Sequence, residues 1–136
     1  MLVDRSNASL LLIDIQERLF SKISNNQSIL NHVLVILESF SKLKLPVIYT
    51  EQYPRGLGTT IPKIREYFEK SSDLTFSKFE KTTFSCFPFE ENKEKKKYIK
   101  TNQVLIAGIE AHICVLQTAI DLKSLGFQVF ILEDCV

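Results

Sequence analysis

The feature that most restricts this chain is the run Ser9-Leu10-Leu11-Leu12-Ile13-Asp14, continuously apolar from Leu10 until it ends in an acid. Adjacent side chains of a strand point to opposite faces, so such a run needs apolar cover on both sides, as in a parallel sheet between two helix layers. Gln103-Val104-Leu105-Ile106-Ala107-Gly108 is a second strand of this buried type. Leu45 to Thr50 reads as another, with Pro46 tolerable only at its beginning, and Phe127 to Leu132 as the last. Between them, Ile29, Val33, Ile36, Leu37 and Phe40 recur at helical spacing over Asn26 to Lys42, with an Asn near the start able to cap the helix. Val115, Ala119, Leu122 and Leu125 do the same over Ala111 to Leu125, which Gly126 stops. Ile61 to Phe68 reads as a short helix, and Ser71 to Phe79 as the place of a short third strand before Lys81. Alternating strands and helices predict right-handed βαβ units. The fold class is therefore α/β, with a mostly parallel sheet and helices on both faces, in a single domain over residues 1–136.

Composition removes several classes of partner. With 17 basic and 16 acidic residues the formal net charge is +1, which gives no reason to expect nucleic acid or an anionic membrane. The basic run Lys93 to Lys97 reads as a solvated helix end. No apolar stretch approaches the roughly 20 residues of a membrane span. Three cysteines, Cys86, Cys114 and Cys135, cannot all pair, and no secretory signal is visible, so the expected setting is reducing and cytoplasmic.

In open parallel sheets ligands bind beyond the strand C-termini, where strand order reverses. Asp14, Lys81 and Cys114 all map to that edge. Cys114 opens a helix, whose free N–H groups and partial positive charge favour a thiolate, although position alone suits an inert buried thiol at least as well. Asp14, following four apolar residues, reads equally as a partly desolvated general base or as a cap on a neighbouring loop. Lys81 by itself reads as a solvated lysine. The loop Glu51 to Thr59, with Pro54, Gly56 and Gly58, is too long for a simple turn and is placed where loops often carry function.

Taken together, three blocks are more specific than any one residue. Leu11-Leu12-Ile13-Asp14-Ile15-Gln16, Lys81-Thr82-Thr83-Phe84-Ser85 and Ala107-Gly108-Ile109-Glu110-Ala111-His112-Ile113-Cys114-Val115 resemble, in order and separation, the catalytic blocks of the isochorismatase-like cysteine hydrolases. Thr50-Glu51-Gln52-Tyr53-Pro54-Arg55-Gly56-Leu57-Gly58 resembles the loop of the subgroup called isochorismatase domain-containing proteins. The resemblance, from residue 9 to the end, implies a three-layer αβα fold with Rossmann-like strand order 3-2-1-4-5(-6). It also implies that a sixth strand and terminal helix fall beyond Glu133-Asp134-Cys135-Val136.

For the chemistry, the resemblance implies a catalytic triad: Cys114 as nucleophile, Asp14 as proton acceptor and Lys81 as the group keeping the two compatible, through a covalent acyl-enzyme. Backbone N–H groups of Glu110 and Cys114 would hold the oxyanion, with a cis peptide between Ile109 and Glu110. The substrate would be a small amide, imide or ester. Isochorismate is disfavoured, because isochorismatases proper lack the nucleophilic cysteine. The resemblance also implies a homo-oligomer. Only His32 and His112 are available as histidines, so no zinc site and no cofactor are expected. Tyr53, Phe84 and His112 are candidate pocket residues, as is Phe87, though each aromatic equally suits the core. Glu110 would either select a cationic substrate or simply face solvent, the plainer reading. Two other functions are open: a catalytically inactive interaction protein retaining the triad, and a redox-sensing cysteine protein, which the lack of a C-x-x-C pair disfavours.

Overall fold

The computed structural model describes residues 2–88 and 96–136, the side chain of residue 96 excepted. Five strands, β1 (Ala8–Ile13), β2 (Val47–Gln52), β3 (Phe76–Lys81), β4 (Gln103–Gly108) and β5 (Gln128–Ile131), form one sheet in the order β3-β2-β1-β4-β5. Every neighbouring pair is parallel. The helices are α1 (Glu17–Phe20), α2 (Asn26–Leu43), α3 (Pro54–Leu57), α4 (Pro62–Lys70) and α5 (Leu116–Ser124). The sequence alternation is thus realised as an α/β sheet flanked by helices.

The alternation of side chains along β1 divides the core in two. Leu10 and Leu12 pack with Val33, Leu37 and Phe40 of α2 and Ile64 and Phe68 of α4. Leu11 and Ile13 pack on the opposite face with Ile106, Val115, Ala119 and Leu122. All six β1 residues are buried, and each large one contributes about 1.5–3 kcal/mol relative to exposure, so β1 anchors both layers.

Several boundaries differ from the sequence expectations. The second strand begins two residues later than expected, at Val47, because Pro46 has no N–H for the ladder, and it runs on to Gln52 in register with β3 up to Lys81. Lys81 therefore ends β3 instead of following it. The last helix also starts differently: Ala111–Val115 forms a π turn, and the α-helix proper begins at Leu116. The expected Asn cap of α2 does not form through its side chain; Asn26 Nδ2 instead donates to the Phe20 carbonyl at 3.2 Å. Lys93 to Lys95 of the basic run lie outside the described residues.

β1, β2 and β3 build outward to one side, and the chain then returns to place β4 on the other side of β1. Strand order reverses between β1 and β4, and a crevice opens there at their C-terminal ends. The two ends approach closely at Gly108, whose φ is +122°. A Cβ on Gly108 would stand 2.1 Å from the Ile13 carbonyl oxygen, so only glycine fits. Gly126 also has a positive φ, +88°, but a Cβ there meets nothing within 4 Å. Gly108→Ala is accordingly expected to cost about 3–5 kcal/mol in equilibrium urea unfolding, against about 1 kcal/mol for Gly126→Ala. Equal losses would contradict the close approach of β1 and β4.

Candidate active site

Asp14 leaves β1 with φ +50°, a left-handed conformation that Asp tolerates better than most residues. This turns its carboxylate toward the end of β2 and β3. Lys81 Nζ donates to Asp14 Oδ2 at 2.6 Å, and both side chains are fully enclosed, with 0% exposure each. The second carboxylate oxygen, Oδ1, accepts from Thr50 Oγ1 at 2.7 Å. Lys81 also donates to Gln52 Oε1 at 2.7 Å and to the carbonyls of Thr83 (3.1 Å) and Phe84 (3.0 Å). Every charged atom of the pair is thus saturated by polar contacts, the condition under which burial of an ion pair is tolerable.

Gln52 and Lys81 are register partners on adjacent strands, which is why their side chains meet. Buried Gln16 secures this end of β2. Its Nε2 donates to the Gln52 and Gly58 carbonyls at 3.0 and 2.6 Å, and its Oε1 accepts from the Gln52 N–H at 2.7 Å. Buried Glu51 holds the far side of the same loop by accepting from Thr60 N–H and Oγ1 at 2.7 and 2.9 Å. Burial opposes the Glu51 carboxylate, but the bonds from Thr60 and Lys78 prevail and lower its pKa.

Cys114 is buried in the π turn, where the charges of both Asp14 and Lys81 act on its thiol. Burial pushes the thiol up to about 11, the nearby Lys81 charge pulls it down, and Asp14 pushes it up again. Among these influences desolvation is the largest, and it favours the thiol. Cys86 is wholly buried, with its Sγ 3.8 Å from Thr50 Oγ1 and its N–H bonded to Thr118 Oγ1 at 3.0 Å. Burial pushes its thiol up to about 12.

A cavity of about 90 Å³ opens at Cys114, lined also by Leu19, Gln52, Leu57, Phe84, Glu110 and Ile113, and its surface is almost wholly apolar. The Ile109–Glu110 peptide bond is cis, and among the described residues no acceptor takes the Glu110 N–H. Of the pocket candidates, Phe84 lines this cavity, whereas Tyr53 and His112 do not. The Tyr53 ring lies across Gly56, where a Cβ would be 2.4 Å from it. His112 is on the exterior, its Nε2 3.8 Å from Glu110 Oε2. Phe87 belongs to the core, edge-on to Phe79. His32 Nδ1 contacts the Asp134 carbonyl at 3.1 Å, beside a separate depression of about 340 Å³ that shares no residue with the cavity at Cys114. Among the described residues, no three of His, Cys, Asp and Glu gather as a metal site, and no helix is long and apolar enough to cross a membrane.

Two outcomes follow from this geometry. Lys81→Met leaves the Asp14 carboxylate buried and unpaired and is expected to cost about 3–5 kcal/mol in urea unfolding, with the double variant Asp14→Asn/Lys81→Met recovering part of the loss. Because the thiolate is the nucleophile, iodoacetamide labelling of Cys114 should rise about tenfold per pH unit between pH 7 and 9, read by peptide mass spectrometry, while Cys86 stays unlabelled. A rate already flat at neutral pH would mean a thiolate at rest.

Comparison with known proteins supplies independent findings. The family model described as isochorismatase domain matches residues 8–136. Isochorismatase family protein 1A of Dictyostelium discoideum is 36% identical over 132 residues, covering 96% of this chain and 63% of that protein. The MAR1 ribonuclease structure from Caenorhabditis elegans matches with a TM-score of 0.81 at 36% identity, covering 98% of this chain and 66% of that one. The ycaC gene product of Escherichia coli, an octameric hydrolase of unknown specificity, matches with a TM-score of 0.81 at 24% identity, covering 98% and 65%. The chain spans less than two thirds of the length of the curated relatives it matches.

Proposed function

This chain belongs to the isochorismatase family and has its hydrolase fold, and from that premise we propose that it is a cysteine hydrolase of small amides, imides or esters. The observation that carries the proposal is the enclosed Asp14–Lys81 pair set against the Cys114 thiol at the edge of a small cavity. A thiol with a pKa near 11 needs a base at the moment of attack, and the fixed Asp14 carboxylate, whose charge acts on the thiol, is the candidate.

The steps are as follows for an amide. The Cys114 S–H bond breaks as its proton passes to Asp14, and the sulfur electron pair forms a C–S bond to the carbonyl carbon. The displaced π electrons become an oxyanion, for which the Glu110 and Cys114 N–H groups are the donors. Collapse breaks the C–N bond, and the proton held by Asp14 leaves with the amine. Water, deprotonated by Asp14, then attacks the thioester and releases the acid and the free thiol. Lys81 remains protonated throughout and balances the carboxylate before and after each transfer.

The ribonuclease name of the C. elegans relative raises RNA cleavage as a second reading. The cavity at Cys114, small and with an almost wholly apolar surface, favours a small acyl group over a polyanion. Self-association is part of the proposal, supported by the octameric E. coli neighbour and by exposed Leu116 and Ile120, one turn apart on α5.

In a panel of small amides, imides and esters with single-stranded RNA included, at least one small acyl compound should be hydrolysed with a transient acyl adduct on the Cys114 peptide. Cys114→Ala should reduce kcat/KM by at least about a thousandfold. Turnover surviving Cys114→Ala in folded protein would falsify the covalent route, and cleavage of RNA alone would replace the substrate class.

A further inference from the structure

The apolar walls of the cavity at Cys114 come from separate segments of the chain. Leu19 is brought by α1, Leu57 by the end of α3, Phe84 by the segment after β3 and Ile113 by the π turn. Gln52 and Glu110 also line it but add little polar surface. The Gln52 carboxamide oxygen is taken by Lys81 at 2.7 Å, and the Glu110 carboxylate is partly exposed beside His112 on the exterior. Asp14 and Lys81 are fully enclosed as a pair whose charges cancel. A molecule entering the cavity therefore meets Cys114 within an almost wholly apolar surface.

We propose that this cavity is the acyl pocket of the site and selects short, uncharged aliphatic acyl groups of about the length of butyryl. The inference rests on the reading of Cys114 as the reacting nucleophile. Size follows from the volume: about 90 Å³ is roughly the space of three waters at about 30 Å³ each, enough for a tail of about three carbons. The lack of charge follows from the surface: an ammonium or carboxylate on the tail would shed its water there and gain no partner, whereas each methylene gains by leaving water. That the acyl part occupies the cavity, and not the amine, follows from the order of events. The acyl group stays on Cys114 through both half-reactions, while the amine must leave and water must replace it, and apolar walls offer neither of these a hydrogen bond.

The test varies the tail while ammonia stays the leaving group. From acetamide through propionamide to butyramide, kcat/KM should rise about fourfold per methylene, and hexanamide should fall below butyramide. Leu57 is half-buried, so Leu57→Ala opens the wall with little loss of core and should move the optimum toward hexanamide. A second readout needs no turnover: labelling of Cys114 by propyl methanethiosulfonate against its 2-ammonioethyl and 2-sulfonatoethyl counterparts, similar in length and different in charge. Each leaves a mixed disulfide on Cys114 and releases methanesulfinate; rates are read on the Cys114 peptide by mass spectrometry and divided by the rate with 2-mercaptoethanol. The propyl reagent should be favoured at least about tenfold over both charged ones, and the hexyl reagent should gain on the propyl in Leu57→Ala. If labelling behaves in this way while no amide is turned over, apolar selection stands and the hydrolase reading fails. Equal normalised rates for the three reagents, or a charged reagent faster than the propyl one, overturn the selection even if amides are hydrolysed. So does a rise in kcat/KM along N-alkyl acetamides in place of the acyl series, which would put the leaving group in the cavity.

Discussion

Lys81 and Asp14 meet at 2.6 Å with no exposure to solvent, and most of the architecture is arranged around keeping that contact polar and dry. A buried pair gains little net stability, since the desolvation of two ions roughly offsets their attraction, but leaving either one alone is expensive. The compensation must come from neighbouring dipoles. Thr50 supplies one to the carboxylate, while Gln52 and the carbonyls of Thr83 and Phe84 supply three to the ammonium. Those groups come from β2 and the segment after β3, so the pair requires β1, β2 and β3 side by side, parallel and with their C-terminal ends level. The strand order and the ion pair are two descriptions of one constraint.

Under the proposed reaction, this structural cost serves the Cys114 thiol. Burial works against a thiolate at Cys114, and the same low-polarity surroundings that raise its pKa strengthen the action of Lys81 and Asp14 on it. Cys86 shows the comparison. The Lys81 and Asp14 charges act on it too, yet it is wholly buried and tied into the Thr50 and Thr118 contacts, and its thiol is pushed higher, to about 12. What separates the two cysteines is access: Cys114 faces a cavity and Cys86 faces the core.

How much of this was legible in sequence depended on the kind of signal. β1 and β4 were plain, because a buried parallel strand is a continuous apolar run. Asp14, Lys81 and Cys114 stood out only as three ordered blocks, since each alone had a bland alternative. Gln16, Thr50 and Gln52 were missed as parts of the site. They carry no charge and no periodicity, and their roles come from register across strands, which one strand's sequence does not contain. A faint signal existed: Thr50 and Gln52 are polar at strand spacing, next to an apolar Val47-Ile48 start. The π turn at Ala111–Val115 was equally invisible, since Val115, Ala119 and Leu122 satisfy helical periodicity whether the first turn is wide or narrow.

That wide turn links the binding wall to the ion pair. Cys114 and Thr118 are four residues apart on one face of the helical segment, and Thr118 Oγ1 accepts the Cys86 N–H. The strap from Thr83 to Cys86 is thus pinned at one end by Lys81, through the Thr83 and Phe84 carbonyls, and at the other by the helix that carries Cys114. Phe84 lies within this strap and forms part of the cavity wall. The ammonium that balances Asp14 therefore also positions a surface against which an acyl group would rest, so charge balance and the shape of the cavity cannot be varied independently.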